Sequence, residues 1–156
     1  SCSSLTSITV SEENTKYKSI DGNLYSKDGK VLIQYALGKM ATEFTVPNEV
    51  EIIGKSAFAF CPTLSVIMGS SVKVIESRAF IFSDLTKINI GENVETIGDK
   101  AFYYSGISSI VIGKNIKTVE QRFGSVNVLI GTERLFNPEE PMKTMKVELY
   151  IKQQNN

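Results

Sequence analysis

Residues 51–60 read EIIGKSAFAF, and close copies of this stretch, KVIESRAFIF and ETIGDKAFYY, occupy residues 73–82 and 95–104. The copies start 22 residues apart, and the flanking apolar positions keep that spacing. The recurring positions are Val50, Val72, Val94 and Ile116; Ile53, Ile75, Ile97 and Val119; Ala57, Ala79 and Ala101; and Phe58, Phe80 and Phe102. A fixed period of about 20 to 50 residues indicates stacked repeats that bury one continuous core. The sequence therefore predicts a solenoid.

Each repeat contains two short apolar segments. One follows the pattern V-x-x-I, and the other follows L-x-x-I-x-I, as in residues 85–90 and 107–112. Segments this short, rich in β-branched residues and bounded by glycine, predict strands. Between them, the stretches AFIFSD and AFYYSG predict a single helical or 3₁₀ turn in which each Phe fills the interior. We therefore predict a mainly β fold with short helical or 3₁₀ turns.

The repeated segments VEIIGKSAFAFCPTLSVI, VKVIESRAFIFSDLTKINI and VETIGDKAFYYSGISSIVI resemble the BspA-type (Treponema pallidum-type) leucine-rich repeat family. The family pattern is roughly V-x-x-I-G-x-x-A-F-x-x-C-x-x-L-x-x-I-x-I-P. The resemblance implies a right-handed solenoid whose L-x-x-I-x-I strands form a parallel sheet on the concave side. It also implies a bacterial cell-surface protein linked to adhesion.

The chain is predicted to form a single solenoid domain, residues 1–156, of which residues 44–131 hold the 22-residue repeats. Residues 1–10 align with the stretch that begins at Cys61, which predicts a partial repeat and a fragment of a longer protein; a lipid-bearing Cys2 is the weaker alternative. Residues 132–156 are predicted to be a C-terminal cap and tail. The last apolar segment there, KVELYIK, is predicted to be an edge strand.

Residues 11–43 interrupt the period and are predicted to form a β-hairpin insertion. They contain Asp21-Gly22 and Asp28-Gly29, and Asp-Gly is a strong signal for a tight hairpin turn. The resembling family carries similar insertions. A metal site at the two aspartates is the alternative, but no third carboxylate stands at ligand spacing. Turn formation is therefore the favoured interpretation.

The composition argues against several classes of function. The 17 basic and 17 acidic residues cancel, which leaves no basic surplus for a nucleic acid backbone or an anionic membrane. No apolar run reaches the roughly 20 residues of a membrane span. There is no histidine, which removes the commonest general base and zinc ligand. We therefore predict no enzymatic activity, no metal, no cofactor, no nucleic acid partner and no direct membrane insertion.

Two further patterns have a structural and a functional interpretation. Cys2 and Cys61 occupy equivalent repeat positions, where strands about 4.8 Å apart would allow a disulfide. Free, packed thiols are favoured, since serine holds the same place in later repeats, and the disulfide remains the alternative. Opposite charges alternate along one column at Glu51, Lys73, Glu95 and Lys117. A neutral ladder that helps to set the register is favoured over a ligand-binding strip.

Residues between the interior positions of the L-x-x-I-x-I strands are predicted to face outward. The candidate partner-binding residues on that sheet are Thr45, Lys87, Asn89, Ser109 and Val111, with Ser7 and Thr9 on the same face. Tyr103 and Tyr104 are the candidate exposed aromatic anchors at the turn, with a core position for one of the two as the alternative. The register after Leu64 stays open, because that unit has one residue fewer before its Val: either Val66 and Met68 or Ile67 point outward.

Two functions follow from this organisation. The first is an extracellular protein-recognition or adhesion module, in which the concave sheet binds a protein or peptide of the host surface or matrix. The second is a structural spacer of stacked repeats with no ligand of its own. An accessory domain of a hydrolase is a more distant alternative.

Overall fold

The computed structural model describes residues 4–62, 64–107 and 109–120, and the backbone of residues 127–130. Over these ranges the chain forms strands joined by turns, and no helix. The strands are β1 Tyr17–Ile20, β2 Asn23–Ser26, β3 Val31–Gln34, β4 Glu43–Thr45, β5 Ile52–Ile53, β6 Leu64–Ile67, β7 Val74–Ile75, β8 Leu85–Asn89, β9 Thr96–Ile97, β10 Ser109–Ile112, β11 Thr118–Val119 and β12 Asn127–Ile130. It follows that the described part of the chain contains no helix that could cross a membrane.

Each repeat contributes one strand to each of two parallel stacks. The first sheet has the order β1-β2-β3-β5-β7-β9-β11 and contains the V-x-x-I segments. The second sheet contains the L-x-x-I-x-I segments as two ladders, β4-β6-β8 and β10-β12. Strands β8 and β10 contact each other, although they belong to separate ladders. The alternation of the two sheets along the chain confirms the predicted β-solenoid.

The turns between the two sheets repeat from coil to coil. Ala57 N donates to Gly54 O at 3.1 Å, and Cys61 N donates to Phe58 O at 3.1 Å. This three-residue spacing is that of a β-turn, and the positive φ of Ser56 (58°) and Phe60 (60°) at the third position is typical of a type II turn and not of a 3₁₀ turn. Neighbouring turns are also bonded to each other, since Phe58 N donates to Ala79 O at 2.8 Å. The turns therefore hold successive coils together as the sheets do.

An aromatic column fills the core beneath these turns. The rings of Tyr35, Phe58, Phe80 and Phe102 stack with centroid separations of 5.1, 4.8 and 5.2 Å. All four side chains are buried. The 22-residue spacing of the three Phe residues therefore places one ring in each coil, as the sequence predicts, and Tyr35 adds a fourth.

Tyr35 differs from the other members of the column because it carries a hydroxyl. That hydroxyl is buried and has no hydrogen-bond partner among the described residues. Burial raises the pKa of Tyr35, and the charge of Cys61 adds to the effect. An unsatisfied buried polar group costs about 1–3 kcal/mol.

Tyr35→Phe should therefore raise the free energy of unfolding by about 1 kcal/mol. The substitution removes the unpaired hydroxyl and completes a column of phenylalanines. Urea unfolding followed by circular dichroism measures the change, with Tyr17→Phe as the matched control, because Tyr17 is exposed. A Tyr35→Phe protein that is less stable than the original would show that the hydroxyl has a partner.

The Asp-Gly pairs lie in hairpin turns, as predicted. Asp21 and Gly22 have φ values of 48° and 71° and form the two-residue loop between β1 and β2. This geometry is a type I′ turn. Asp28 Oδ1 accepts hydrogen bonds from Ser26 Oγ at 2.6 Å and Lys30 N at 3.1 Å, and these bonds lower the pKa of its carboxyl group. Neither aspartate lies in a cluster of metal-ligand side chains within the described ranges.

The hairpin also extends the first sheet. Strand β3 pairs antiparallel with β2 and parallel with β5, where Leu32 is opposite Ile53. One strand therefore belongs both to the hairpin and to the stack of coils. Upstream, residues 4–10 form no strand, and Leu5 is 37% exposed where its counterpart Leu64 is 1% exposed. Cys2 and residues 132–156, the predicted cap and tail, lie outside the described residues.

The structure answers the open question of register after Leu64. Val66 and Met68 are buried, and Ile67 faces outward. Leu64 is opposite Leu85 but Ser65 is opposite Lys87, so Thr86 is an extra residue in the longer unit. Because of this extra residue, the strands β6 and β8 keep their equivalent apolar residues facing the core.

Candidate partner-binding surface

The outer face of the second sheet carries most of the predicted binding residues. Thr45, Lys87, Asn89 and Val111 are all exposed, because alternate residues of a strand point to opposite faces. Pairing aligns Thr45 with Ile67 and Ile67 with Asn89, while Glu43, Ser65 and Lys87 form the neighbouring row. Ser7 and Thr9 are exposed but belong to no strand, and the side chain of Ser109 lies outside the described residues.

A cleft of about 470 Å³, here called the sheet cleft, lies between β8 and β10. The described residues that line it are Lys87, Ile88, Asn89, Gly91, Glu92, Val111, Ile112, Gly113 and Lys114. Three predicted residues, Lys87, Asn89 and Val111, meet in it, whereas Thr45 lies two strands away on β4. The volume falls within the range of about 300–1,000 Å³ typical of ligand sites.

Sequence reasoning missed two charged residues of the sheet cleft. Glu92 and Lys114 follow β8 and β10 in the turns that leave the second sheet, and both are exposed. The available signal was their position one residue after the repeat glycines Gly91 and Gly113. With Lys87 they give the cleft a mixed charge beside the apolar side chain of Val111.

A second surface lies at the opposite end of the second-sheet strands, on the turns that precede them. Phe60, Phe82 and Tyr104 share one repeat position and are 57%, 47% and 67% exposed. Their ring centroids lie 5.4 and 5.5 Å apart with interplanar angles of 16° and 6°. Tyr103 is half-buried and packs edge-on against Tyr104 at 4.4 Å. We call these four residues the aromatic ridge.

The ridge corrects the prediction that every Phe of the turn fills the interior. That prediction is right for Phe58, Phe80 and Phe102 but wrong for Phe60 and Phe82. Both sites have the same 22-residue period, so periodicity alone does not separate them. The signal that was missed is the second aromatic two residues after the first in AFAF, AFIF and AFYY. Tyr104 is exposed as predicted, and the ridge is remote from the sheet cleft, with which it shares no lining residue.

The backbone at the ridge is strained. Phe60, Phe82 and Tyr104 have φ values of 60°, 52° and 51°, in the left-handed region that bulky residues rarely adopt. That conformation costs roughly 1–2 kcal/mol per residue, and each stacked pair returns only about 0.5–1.5 kcal/mol. Exposed aromatic side chains at three such positions are therefore not explained by folding stability alone.

Two cations lie beside the ridge. Arg78 and Lys100 share one repeat position and line a cleft of about 460 Å³, here called the ridge cleft, together with Phe60, Phe82 and Tyr103. The remaining lining residues are Ser56, Ala59 and Ile81. Neither cation forms an ion pair with any residue that the structure describes. The ridge cleft thus combines ring surface with unneutralised positive charge.

The sequence pattern of the BspA type leucine-rich repeat region matches residues 30–125 in six copies. The chain belongs to this family. The match confirms the family predicted from the three quoted repeats, and its start at residue 30 agrees with the place of β3 in the first sheet.

Several solved structures resemble this chain in fold. A leucine-rich repeat protein from Eubacterium ventriosum is 27% identical with a TM-score of 0.60, over 79% of this chain and 31% of that one. A leucine rich cell surface protein from Faecalibacterium prausnitzii is 25% identical with a TM-score of 0.62, over 86% of this chain and 44% of that one. The pneumococcal vaccine antigen PcpA, 22% identical with a TM-score of 0.66 over 83% of this chain and 40% of that one, shares the fold. No curated protein sequence matches the chain.

The chain therefore spans less than half the length of each of these solved proteins, between 31% and 44%. All three neighbours are longer than the matched solenoid. They agree with the leucine-rich repeat fold of this chain, and one of the three is itself described as a cell surface protein.

The charge ladder of the BspA-type repeats is a surface feature of the first sheet. Lys117 Nζ and Glu95 Oε2 lie 2.7 Å apart, and this hydrogen bond lowers the pKa of the Glu95 carboxyl group. Lys30, which the sequence analysis did not include, extends the ladder by pairing with Glu51 at 2.9 Å. Lys73 forms no ion pair with the described residues. With Lys30 included, the ladder has three lysines and two glutamates, so the alternating signs leave a net charge of only +1.

Cys61 is a free, buried thiol in the turn between the sheets. Burial raises its pKa to about 12, and the charge of Asp84 adds to the effect. In the next repeat the same position is Ser83, whose Oγ donates to Phe80 O at 2.7 Å. A small side chain that fits inside the turn is therefore sufficient there.

The raised thiol pKa predicts a loss of stability in alkali. A thiol ordinarily ionises near pH 8.5, so above about that pH the unfolded state loses a proton that the folded state keeps up to about pH 12. The free energy of unfolding should therefore fall with rising pH over that window. The serine of Cys61→Ser does not titrate in that window. The free energy of unfolding of this variant, measured with urea, should therefore fall less between about pH 8 and pH 11 than that of the original protein. Equal losses in both proteins would contradict the burial of this thiol.

Proposed function

We propose that this chain is an extracellular recognition module of a bacterial cell-surface protein, and that it binds a protein or peptide partner in the sheet cleft. The observation that carries the proposal is the convergence of Lys87, Asn89 and Val111 on one cleft of about 470 Å³. The cell-surface likeness to the Faecalibacterium prausnitzii protein supports the location. The role is non-catalytic, in keeping with a repeat family built for protein interaction.

The chemistry of the sheet cleft fits an extended protein segment. Val111, at 53% exposure, offers an apolar contact in the cleft. Lys87, Glu92 and Lys114 add both signs of charge to the lining, and the Asn89 side chain adds an amide donor, while its Oδ1 accepts from Gly91 N at 3.0 Å. Protein interfaces combine an apolar centre with a polar rim in this way. A peptide that carries charges of both signs, with an apolar residue between them, would match these groups.

The double substitution Lys87→Ala/Asn89→Ala should lower the affinity for a retained partner at least tenfold, which corresponds to about 1.4 kcal/mol of binding free energy. The test immobilises the chain, passes extracellular matrix and host-surface proteins over it, and titrates each retained protein against both forms. Lys16→Ala is the control for lost charge, because Lys16 lies on the exposed hairpin far from the cleft in sequence. Circular dichroism establishes that all three proteins are folded.

The opposite result would favour the second function. If the original chain retains no protein, or if the double variant retains the same partner with the same affinity, the sheet cleft is not the binding surface. A complete absence of partners would favour the structural spacer, in which the continuous core serves to hold other parts of a longer protein apart.

A further inference from the structure

The central ring of the aromatic ridge is exposed at its edge. Phe82 stacks against Phe60 on one side and Tyr104 on the other, so both of its faces are covered. It is nevertheless 47% exposed, and that exposure belongs to its edge. Aromatic rings carry partial negative charge on the face and partial positive charge at the edge. The middle of the ridge therefore presents a weakly positive apolar edge to solvent.

The residues around the ridge add to its positive charge. Arg78 and Lys100 line the ridge cleft, no acidic residue lines it in the described part of the chain, and neither cation is paired there. The chain as a whole has 17 basic and 17 acidic residues. A local surplus of positive charge within a neutral chain is thus concentrated beside exposed apolar rings.

We propose that the ridge cleft is a second interaction surface that binds an acidic peptide segment bearing apolar side chains, contributed by a partner protein. The carboxylates of that segment would pair with Arg78 and Lys100, and its aliphatic side chains would pack against the edges of Phe60 and Phe82. This surface is separate from the sheet cleft, so the inference does not depend on the function proposed above.

The geometry favours a peptide over a sugar. Aromatic platforms for sugars and bases present an open ring face, and the middle ring of this ridge has none because Phe60 and Tyr104 cover both faces. The cleft between Phe60, Phe82 and the two cations has a volume of about 460 Å³, enough for a few side chains.

The probe is a fluorescein-labelled dodecapeptide of alternating Glu and Leu, compared with one of Lys and Leu and one of Glu and Ser. Fluorescence anisotropy should show that the Glu–Leu peptide binds at least tenfold more tightly than either control peptide, and that added salt weakens the binding. A Glu–Leu peptide that binds no better than the Lys–Leu or Glu–Ser peptide would overturn the proposal.

Two variants locate the site. Arg78→Glu reverses one cation, and Phe82→Asn removes the central ring with a residue that tolerates the left-handed backbone. Each should reduce the affinity for the Glu–Leu peptide at least tenfold. Lys16→Glu, the matched charge reversal, and Lys87→Ala/Asn89→Ala, the sheet-cleft variant, should not change it. Lys100→Glu replaces Arg78→Glu if the latter is not folded by circular dichroism.

Binding of the peptide at another site, or of a second copy of the chain at the ridge, would give different results in these experiments. Unchanged affinity in Phe82→Asn, or a loss confined to the sheet-cleft variant, would place the peptide elsewhere and overturn the proposal. Analytical ultracentrifugation tests a second copy of the chain as the occupant. A concentration-dependent dimer that Phe82→Asn abolishes would make the ridge a self-association surface, which also overturns the proposal.

Discussion

Phe80→Ala is expected to lower the free energy of unfolding by about 3–5 kcal/mol, the usual cost of removing a fully buried phenylalanine. Phe80 is 0% exposed and stacks between Phe58 at 4.8 Å and Phe102 at 5.2 Å. Its loss would leave a cavity in the middle of the column, where rings above and below are fixed by their own coils. Urea unfolding followed by circular dichroism measures the effect.

Phe60→Ala is the matched control for this prediction. The same residue type is removed from the neighbouring coil, but Phe60 is exposed and touches one ring, Phe82 at 5.4 Å. Its loss should cost only about 0.5–1.5 kcal/mol, the value of one aromatic pair. If the two variants were equally destabilised, the assignment of Phe80 to the core and Phe60 to the ridge would be wrong.

This pair of variants also marks the limit of what the sequence could predict. The 22-residue period predicts the coils and the core column, because a position that recurs in every coil occupies the same place in each. It does not say whether that place is inside or outside. Phe80 and Phe82 are both periodic and both aromatic, and only the left-handed turn at Phe82 directs its side chain outward.

The candidate binding surface was predictable only where a strand carries it. Lys87, Asn89 and Val111 are exposed because strand residues alternate between two faces, and this rule needs no structure. Glu92 and Lys114 lie in turns, which have no such alternation, and they reach the sheet cleft because the coil returns there. The pairing of Lys30 with Glu51 likewise depends on β3 serving as a strand of the first sheet, which the predicted hairpin boundary did not include.

The repeat glycines also show that one recurring residue type can have different structural causes in different coils. Gly69, Gly91 and Gly113 occupy one position of the repeat. Gly91 has φ of +75° and nothing within 4 Å of an added Cβ, so it is there for its backbone conformation. At Gly69 a Cβ would lie 2.6 Å from Pro47 O and 2.7 Å from Val46 O. That glycine is there because the backbone of the preceding coil passes close by.

Gly69→Ala is therefore expected to destabilise the solenoid by about 1–3 kcal/mol, the cost of overpacking a close contact. The atoms in the way are backbone carbonyl oxygens and cannot rotate aside as a side chain could. Moving them would also disturb the hydrogen bonds that Val46 N makes to Ile67 O at 2.9 Å and Val50 N makes to Pro47 O at 3.1 Å. The same urea unfolding measurement reports the change.

Gly91→Asn separates this cause from a general requirement for glycine. Asparagine tolerates the left-handed conformation and would extend into open space at this position, so its effect should stay within about 0.5 kcal/mol. The contrast between the two variants is the test, because both replace the same repeat glycine in adjacent coils. A Gly69→Ala protein as stable as Gly91→Asn would mean that the coils are not packed backbone against backbone at Pro47, and that both glycines serve only the turn.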